Sequence, residues 1–169
     1  MNSIFKRKSV RKFKNQKISD EKIISLLKAG MQAPSAHNSQ PWEFLIISDR
    51  KDIEEVSTMS PYAKPGKNAD KLIITLTNID KINAKKTNDW FTQDMSACTE
   101  NILIQAVEEG LGGVWLGFYP SKERVNKVKK YFNLPDNIIP FSVIALGYSD
   151  DKKDVEDRFS ENKIHFGKY

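Results

Sequence analysis

Two short segments near the start of the chain contain residue types that can bind an anionic ligand with a flat ring. Residues 7–13, RKSVRKF, place four cations and a hydroxyl within one stretch. Residues 33–42, APSAHNSQPW, form a polar segment held by two prolines and ending on a tryptophan. Because an arginine guanidinium can bind two oxygens of an anion at once, the two segments together predict an anion site beside a pocket for a flat ring.

The sequence offers little for metal or nucleophilic chemistry. Its histidines, His37 and His165, and its one cysteine, Cys98, are far apart, so no metal site is predicted. Cys98 falls within an apolar helical stripe, where an inert buried thiol is expected. No nucleophile elbow and no phosphate-binding Walker loop is present. We therefore predict no catalytic side chain, and a bound cofactor would have to supply the reactive group.

The residue types suit flavin mononucleotide (FMN). Its phosphate needs arginine, and its ring needs a backbone N–H near the reactive nitrogen and positive charge near the pyrimidine edge. Arg7, Lys8, Ser9 and Arg11 offer the charge and the hydroxyl, while glycines around residues 114–117 permit close backbone approach to a ring. The alternative is that these cations are ordinary exposed charges.

Apolar periodicity outlines the elements that must position these residues. Ile23, Leu26, Leu27 and Met31 repeat at helical spacing after Ser19, a good N-cap, and predict a helix over residues 19–31. Solid apolar runs predict strands that are buried on both faces. The predicted strands are residues 43–48, 71–77, 112–118 and 140–147; a second helix is expected at 121–131, a loop at 61–67 and a polar connector at 80–88.

The longest predicted helix, residues 89–110, is apolar over most of its circumference. Met95, Cys98, Ile102 and Ala106 form one stripe, and further apolar residues cover much of the opposite side. A helix of this kind must be buried on two sides, so it predicts a homodimer built on this helix. The alternative is a central helix buried entirely within its own domain.

Length and charge limit the remaining possibilities. The 169 residues suit one α+β domain, residues 1–169, in which residues 148–169 form a C-terminal arm lying on a surface. A net charge of +5 could suit nucleic acid, but no nucleic-acid motif accompanies the cations, so no nucleic-acid partner is expected. Without a signal-like apolar run or a bilayer-length segment, we expect a cytoplasmic protein with no membrane partner.

Four linked segments resemble the FMN-dependent nitroreductase family, in the family's order and spacing. They are residues 7–13, residues 33–42, the stretch from Asp94 through Asn101 to Gly117, and residues 140–148 followed by Arg158-Phe159 in the C-terminal arm. The resemblance covers nearly the whole chain. It implies a three-layer α+β fold, with a mixed, mainly antiparallel central sheet flanked by helices, and an intertwined homodimer with FMN at the interface.

The resemblance also assigns cofactor-binding residues. Arg7 and Lys8, with Arg158 from the arm, would hold the phosphate, and Ser9 and Arg11 would face the pyrimidine edge. The residues that would reach the flavin of the partner subunit are Pro34, Ser35, Ala36 and Asn38. Trp115, Leu116 and Gly117 would lie along the ring, with the Gly117 N–H near the reactive nitrogen. Many relatives have glutamate at this last position, but the contact uses the backbone.

By resemblance, the protein is an oxidoreductase that transfers hydride from NAD(P)H through bound FMN to a nitroaromatic, a quinone or a similar small acceptor. The stretch between Ser48 and Asp89 is short compared with larger members, in which inserted helices cover the active site. Two alternatives stay open. One is a non-catalytic FMN-binding or redox-sensing module, and the other is different flavin chemistry on the same scaffold, such as dehalogenation.

Overall fold

The structure is a computed structural model, and it describes residues 2–82, 90–151 and 153–169. Most of the predicted connector at 80–88, and the first residue of the predicted helix at 89–110, lie outside the described residues. The α-helices in the described part are α1 (Ser3–Lys6), α2 (Asp20–Met31), α3 (Arg50–Thr58), α4 (Phe91–Glu108) and α5 (Lys122–Tyr131). The strands are β1 (Trp42–Ile47), β2 (Lys71–Asn78), β3 (Gly112–Gly117) and β4 (Ile138–Gly147). Every predicted helix and strand is present, with ends within two residues of those expected.

The four strands form one sheet in the order β1-β2-β4-β3, and every neighbouring pair is antiparallel. The one parallel contact in the described residues is an isolated bridge between Ser9 and Gly113. The prediction of a mainly antiparallel sheet is confirmed, and its mixed character is limited, in this part of the chain, to that bridge. Because β3 ends the sheet, its outer side is an open edge.

Helices cover both faces of the sheet. Ile73 of β2 packs in a buried cluster with α2 and α4, whereas its neighbours Leu72 and Ile74 pack in a second cluster with α3 and α5. Alternate residues of a strand point to opposite faces, so the apolar run of β2 fills both clusters. The three-layer arrangement and the two-sided burial predicted for this strand are both present. β1, at the opposite edge of the sheet, is only half-buried between its ends.

Helix α3 was not predicted from the sequence. It begins after Asp49, whose carboxylate accepts hydrogen bonds from the backbone N–H groups of Lys51 (2.9 Å) and Asp52 (3.3 Å). These bonds satisfy donors that have no partner within the helix. Ile53 and Val56, three positions apart, are fully buried against the sheet.

The long helix α4 has two different apolar faces. The predicted stripe of Met95, Cys98, Ile102 and Ala106 is fully buried between α2 and the sheet. On the opposite side, Leu103 and, just after the helix, Leu111 are also buried, whereas Ala97, Ile104 and Val107 are only half-buried. Helix α1 lies beside α4, and the Ser3 hydroxyl donates a hydrogen bond to Glu108. In a single chain the second face of α4 is therefore partly open, and the homodimer stays a prediction.

The C-terminal arm carries exposed aromatic side chains. Phe159, Phe166 and Tyr169 are largely accessible to solvent.

Met31, which was expected on the inner face of α2, is half-exposed at the end of that helix. In the part of the chain that the structure describes, no helix combines the length and apolar character needed to span a membrane.

Candidate functional site

The open edge of β3 presents backbone groups that can receive a ligand. The Gly113 carbonyl accepts a hydrogen bond from the Val10 N–H (2.9 Å), so Gly113 directs its backbone groups away from β4. In an antiparallel pair this direction alternates along the strand, so Trp115 and Gly117 also present N–H and C=O groups at the outer edge. No further strand pairs with this edge in the described residues. The position predicted for the ring therefore offers backbone N–H donors at Trp115 and Gly117, while the Gly117 carbonyl already accepts a hydrogen bond from Arg124.

The two ends of β3 have opposite surroundings. A side-chain carbon on Gly112 would lie 2.8 Å from the Cβ of Val10. Residues 7–13, which we call the N-terminal segment, can therefore approach this end only because residue 112 is glycine. At the other end, a side-chain carbon on Gly117 would have no atom within 4 Å. The N-terminal segment thus covers the start of β3, whereas the side-chain position of Gly117 at the other end is open.

The cations of the N-terminal segment already have partners in the single chain. Arg7 pairs through its Nε with Glu100 of α4 at 2.8 Å. Lys8 donates hydrogen bonds to the carbonyl of Asp151 (2.8 Å) and to that of Lys153, both in the C-terminal arm. The pKa of Asp151 is lowered, mainly by a hydrogen bond from the Lys153 N–H and secondarily by the charge of Lys8. These contacts hold the arm against the N-terminal segment.

Residues 4–8 and 153–159 line one groove of about 1150 Å³, which we call the N-terminal groove. It brings together the three residues assigned to the phosphate, Arg7, Lys8 and Arg158. Ser9 and Arg11 do not line it. They lie at the start of the β3 edge, where the Arg11 guanidinium is 3.4 Å from the Ser9 carbonyl. The groove and the β3 edge thus contain the assigned phosphate and ring residues in neighbouring positions.

The loop that contains Pro34, Ser35, Ala36 and Asn38 has an unusual backbone. His37, Asn38 and Gln40 all have positive φ, at 54°, 55° and 46°. This region is unfavourable for residues other than glycine, and such strain is concentrated at functional sites. Ser35 stabilises the loop, because its hydroxyl accepts from the Gln40 N–H (3.0 Å) and its carbonyl accepts from the Asn38 N–H (3.0 Å).

The same loop is attached to the beginning of α4. The buried carboxylate of Asp94 accepts a hydrogen bond from the Ala36 N–H at 2.9 Å, and the Ser39 hydroxyl is 3.5 Å from its second oxygen. The His37 ring stacks on Trp90, with ring centroids 6.0 Å apart. Among the described residues, no hydrogen bond or ion pair joins this loop to the cations of residues 7–11. Asp94 was not predicted as a positioning residue.

Cys98 is buried as expected, and Trp115 and Leu116 lie on opposite faces of β3. Trp115 is half-buried, with its ring 6.0 Å from that of Phe141, and Leu116 is buried in the cluster that contains α3 and α5. Burial raises the pKa of the Cys98 thiol to about 12, so a thiolate nucleophile is disfavoured. Within the described residues, no three potential metal ligands converge on one point.

Comparisons with known proteins agree with this geometry. The nitroreductase family profile matches residues 4–67 and 61–148. A protein of Archaeoglobus fulgidus, provisionally named NADH dehydrogenase/NAD(P)H nitroreductase, is 41% identical over 169 residues, covering 98% of this chain and 96% of the relative.

Solved structures show the same similarity. A provisionally named NADH oxidase from Clostridium acetobutylicum superposes with a TM-score of 0.94 at 44% identity, covering 99% of this chain and 100% of the other. An FMN-dependent nitroreductase from Clostridium difficile gives a TM-score of 0.89 at 25% identity, with 99% of each chain covered. Because the profile and these relatives span nearly the whole sequence, the chain belongs to the nitroreductase family.

Proposed function

We propose that this protein is an FMN-dependent oxidoreductase that transfers hydride from NAD(P)H through FMN to a nitroaromatic, a quinone or a similar small acceptor. The observation that carries this proposal is the open β3 edge, with its outward-facing backbone groups, next to the cationic N-terminal groove. The relatives' names support it, since one refers to NAD(P)H nitroreductase and another to an FMN-dependent nitroreductase.

The residues at this site fit FMN. The outer edge of β3 offers the N–H of Gly117, and the side-chain position of this residue is open. Arg7 uses its Nε for Glu100, but a guanidinium has five N–H donors and therefore keeps donors for a phosphate. Lys8 would exchange a carbonyl of the arm for a phosphate oxygen. Arg158, at the same groove, adds a third cation.

Each group of residues has a definite task in this proposal. Arg7, Lys8 and Arg158 bind the phosphate, whereas Ser9 and Arg11 place a hydroxyl and a positive charge near the pyrimidine edge, where negative charge develops. Trp115 and Leu116, next to Gly117 on β3, lie along the ring. FMN held by these residues would supply a ring able to take up hydride from the nicotinamide and to give electrons to the second substrate. The protein's own contribution is binding and orientation, since no side chain of the site is required as an acid or base.

A homodimer completes the proposed site. Ile4 and Phe5 of α1 are 52% and 68% exposed, next to the half-open face of α4, and apolar surface of this kind is typical of interfaces. We propose that two single-domain chains pair through this surface and exchange their C-terminal arms. The loop residues Pro34, Ser35, Ala36 and Asn38 would then contact the FMN of the partner subunit. Within their own chain the loop is attached to α4 through the Ala36 N–H.

An absorption spectrum and a rapid reduction experiment test the proposal. We expect the purified protein to be yellow or to take up added FMN, to elute as a dimer, and to bleach on mixing with NADH or NADPH. A bound flavin that neither nucleotide reduces would contradict the enzymatic function and favour a non-catalytic FMN-binding module. A colourless monomer that does not take up FMN would exclude both.

A substitution at Arg7 locates the phosphate. Arg7→Ala should weaken FMN binding by about 1.5 to 3 kcal/mol, the value of a hydrogen bond to a charged group. The matched control is Lys12→Ala, which removes an exposed cation of the same segment outside the assigned site. If both variants bind FMN as the parent does, the phosphate lies elsewhere.

A further inference from the structure

A further arginine, Arg124, lies at the open end of β3, and the assignments above do not use it. Arg124 belongs to the first turn of α5, and its Nη1 donates a hydrogen bond to the Gly117 carbonyl at 2.9 Å. Its guanidinium also faces the ring of Tyr62, with the central carbon 5.3 Å from the ring centroid. The side chain is therefore fixed in place beside the residue proposed to contact the ring.

Arg124 has no ion-pair partner of its own in the part of the chain that the structure describes. The neighbouring Glu123 forms an ion pair with Lys127 at 2.7 Å. That lysine is the main cause of the lowered pKa of Glu123, and the charge of Arg124 lowers it further. In the described residues no carboxylate forms an ion pair with Arg124, in contrast to Arg7, which is paired with Glu100. A half-buried guanidinium that is held in position but not neutralised can bind an anion.

Tyr62 is brought to this place by the loop between α3 and β2. The loop packs close to β3, because the Cβ position of Gly66 is 3.5 Å from a methyl group of Leu116. The Tyr62 ring itself is 71% exposed, which is unusual for an aromatic side chain whose loop is otherwise anchored. One face of the ring covers the guanidinium, and this contact limits the orientations available to its N–H donors.

We infer that Arg124 and Tyr62 form an anion-binding subsite for the substrates of this enzyme, next to Gly117 at the open end of β3. The ligand group is a phosphate or a carboxylate carried by a substrate whose ring lies against the proposed flavin site. Arg124 uses one Nη for the Gly117 carbonyl and keeps other N–H donors for two oxygens of the anion. The group could come from the nicotinamide nucleotide or from an acidic acceptor. This inference rests on the proposed function.

Equilibrium titration of the oxidised, FMN-loaded dimer tests the subsite without relying on turnover. The perturbation of flavin absorbance gives the Kd of each probe. The probes form two sets in which only the first-named members carry an anionic group: nicotinamide mononucleotide and NADP⁺ against nicotinamide riboside, and 4-nitrobenzoate against nitrobenzene. The variants are Arg124→Ala, and Arg124→Gln, whose amide can still donate to the Gly117 carbonyl. Lys130→Ala removes one exposed cation from the same helix and serves as the control.

We expect both Arg124 variants to raise the Kd of an anionic probe at least about tenfold, consistent with the loss of a charged hydrogen bond. The Kd of the member of that set without an anionic group should change less than about twofold. In Lys130→Ala, the Kd of every probe should change less than about twofold. An effect on NADP⁺ identifies the nucleotide phosphates as the ligand, and one on 4-nitrobenzoate identifies an acidic acceptor. Tyr62→Ala should give a smaller change in the same direction.

Equal changes for probes with and without the anionic group, or no change for either, would overturn the subsite and leave Arg124 as a support for the end of β3. This result is distinct from failure of the proposed function. In that case the parent protein itself would lack a flavin, or its flavin would not be reduced by NADH or NADPH.

Discussion

The two glycines at the ends of β3 allow a matched test of how the N-terminal segment is held. A Cβ on Gly112 would lie 2.8 Å from both the Cβ and the Cγ1 of Val10, whereas one on Gly117 would contact nothing within 4 Å. Neither glycine has the left-handed backbone that an added side chain would strain. We therefore expect Gly112→Ala to disturb the structure and Gly117→Ala to be tolerated.

The size of the effect follows from which atom is in the way. The Cβ of Val10 is bonded to the backbone, so no rotamer change can move it, and Val10 itself is only 5% exposed. The segment must shift, and overpacking of this kind costs about 1 to 3 kcal/mol. Replacing glycine with alanine also restricts the unfolded chain, which stabilises both variants by about 0.4 to 1 kcal/mol. The difference between the two variants therefore isolates the packing cost.

Thermal unfolding and FMN titration measure the two consequences. A difference of about 1 to 3 kcal/mol corresponds to a Tm lower by about 2 to 12 °C in Gly112→Ala than in Gly117→Ala for a protein of this size. FMN affinity should fall in Gly112→Ala, because Val10 and the Ser9 bridge position the cations, and stay unchanged in Gly117→Ala. Equal Tm values and equal affinities in the two variants would refute the reasoning.

Two further predictions concern buried groups near the proposed site. Asp94→Ala should lower the free energy of unfolding by about 1 to 3 kcal/mol in urea titrations, because the Ala36 N–H loses its acceptor. The exposed Asp136→Ala is the control, and equal stability of the two variants would contradict the role of Asp94. Native Cys98 should react with a thiol reagent only as fast as the protein unfolds. The thiol pKa of about 12 lies above the ordinary 9.0, so the thiolate forms first in the unfolded chain. The free energy of unfolding should therefore decline between about pH 9 and 12. A thiol that reacts rapidly in the folded protein would contradict the burial of Cys98.

The elements that could be predicted from the sequence are those whose apolar residues follow one period. The runs in β2 and β4 and the helical spacing in α2 and α4 indicate burial without knowledge of the neighbours. Helix α3 is short and mostly charged, and its apolar face consists of Ile53 and Val56, although apolar and polar residues are clearly separated around the helix. Its helical spacing and its capping residue, Asp49, were local signals that could have revealed it.

The degree of burial could not be predicted from a strand's own residues. β1 and β2 both contain solid apolar runs, and the same rule predicts burial on both faces for each. β2 lies inside the sheet and follows the rule, whereas β1 lies at an edge and is half-buried. Strand order is a tertiary property, and with it comes the open edge of β3 on which the proposed site depends.

The positions of charged side chains depend on the fold in the same way. In the sequence, Arg124 follows Glu123 on a strongly charged helix, and such a pattern favours a solvated surface with neighbouring charges paired. In the structure Glu123 pairs with Lys127, one turn further along the helix, while Arg124 turns to the carbonyl at the end of β3. Arg7 shows the reverse case, because it lies in a cationic stretch of sequence and yet meets a carboxylate from α4. The sequence could therefore indicate where cations are abundant, but only the packing of helices on the sheet determines which of them keeps an unpaired charge for a ligand.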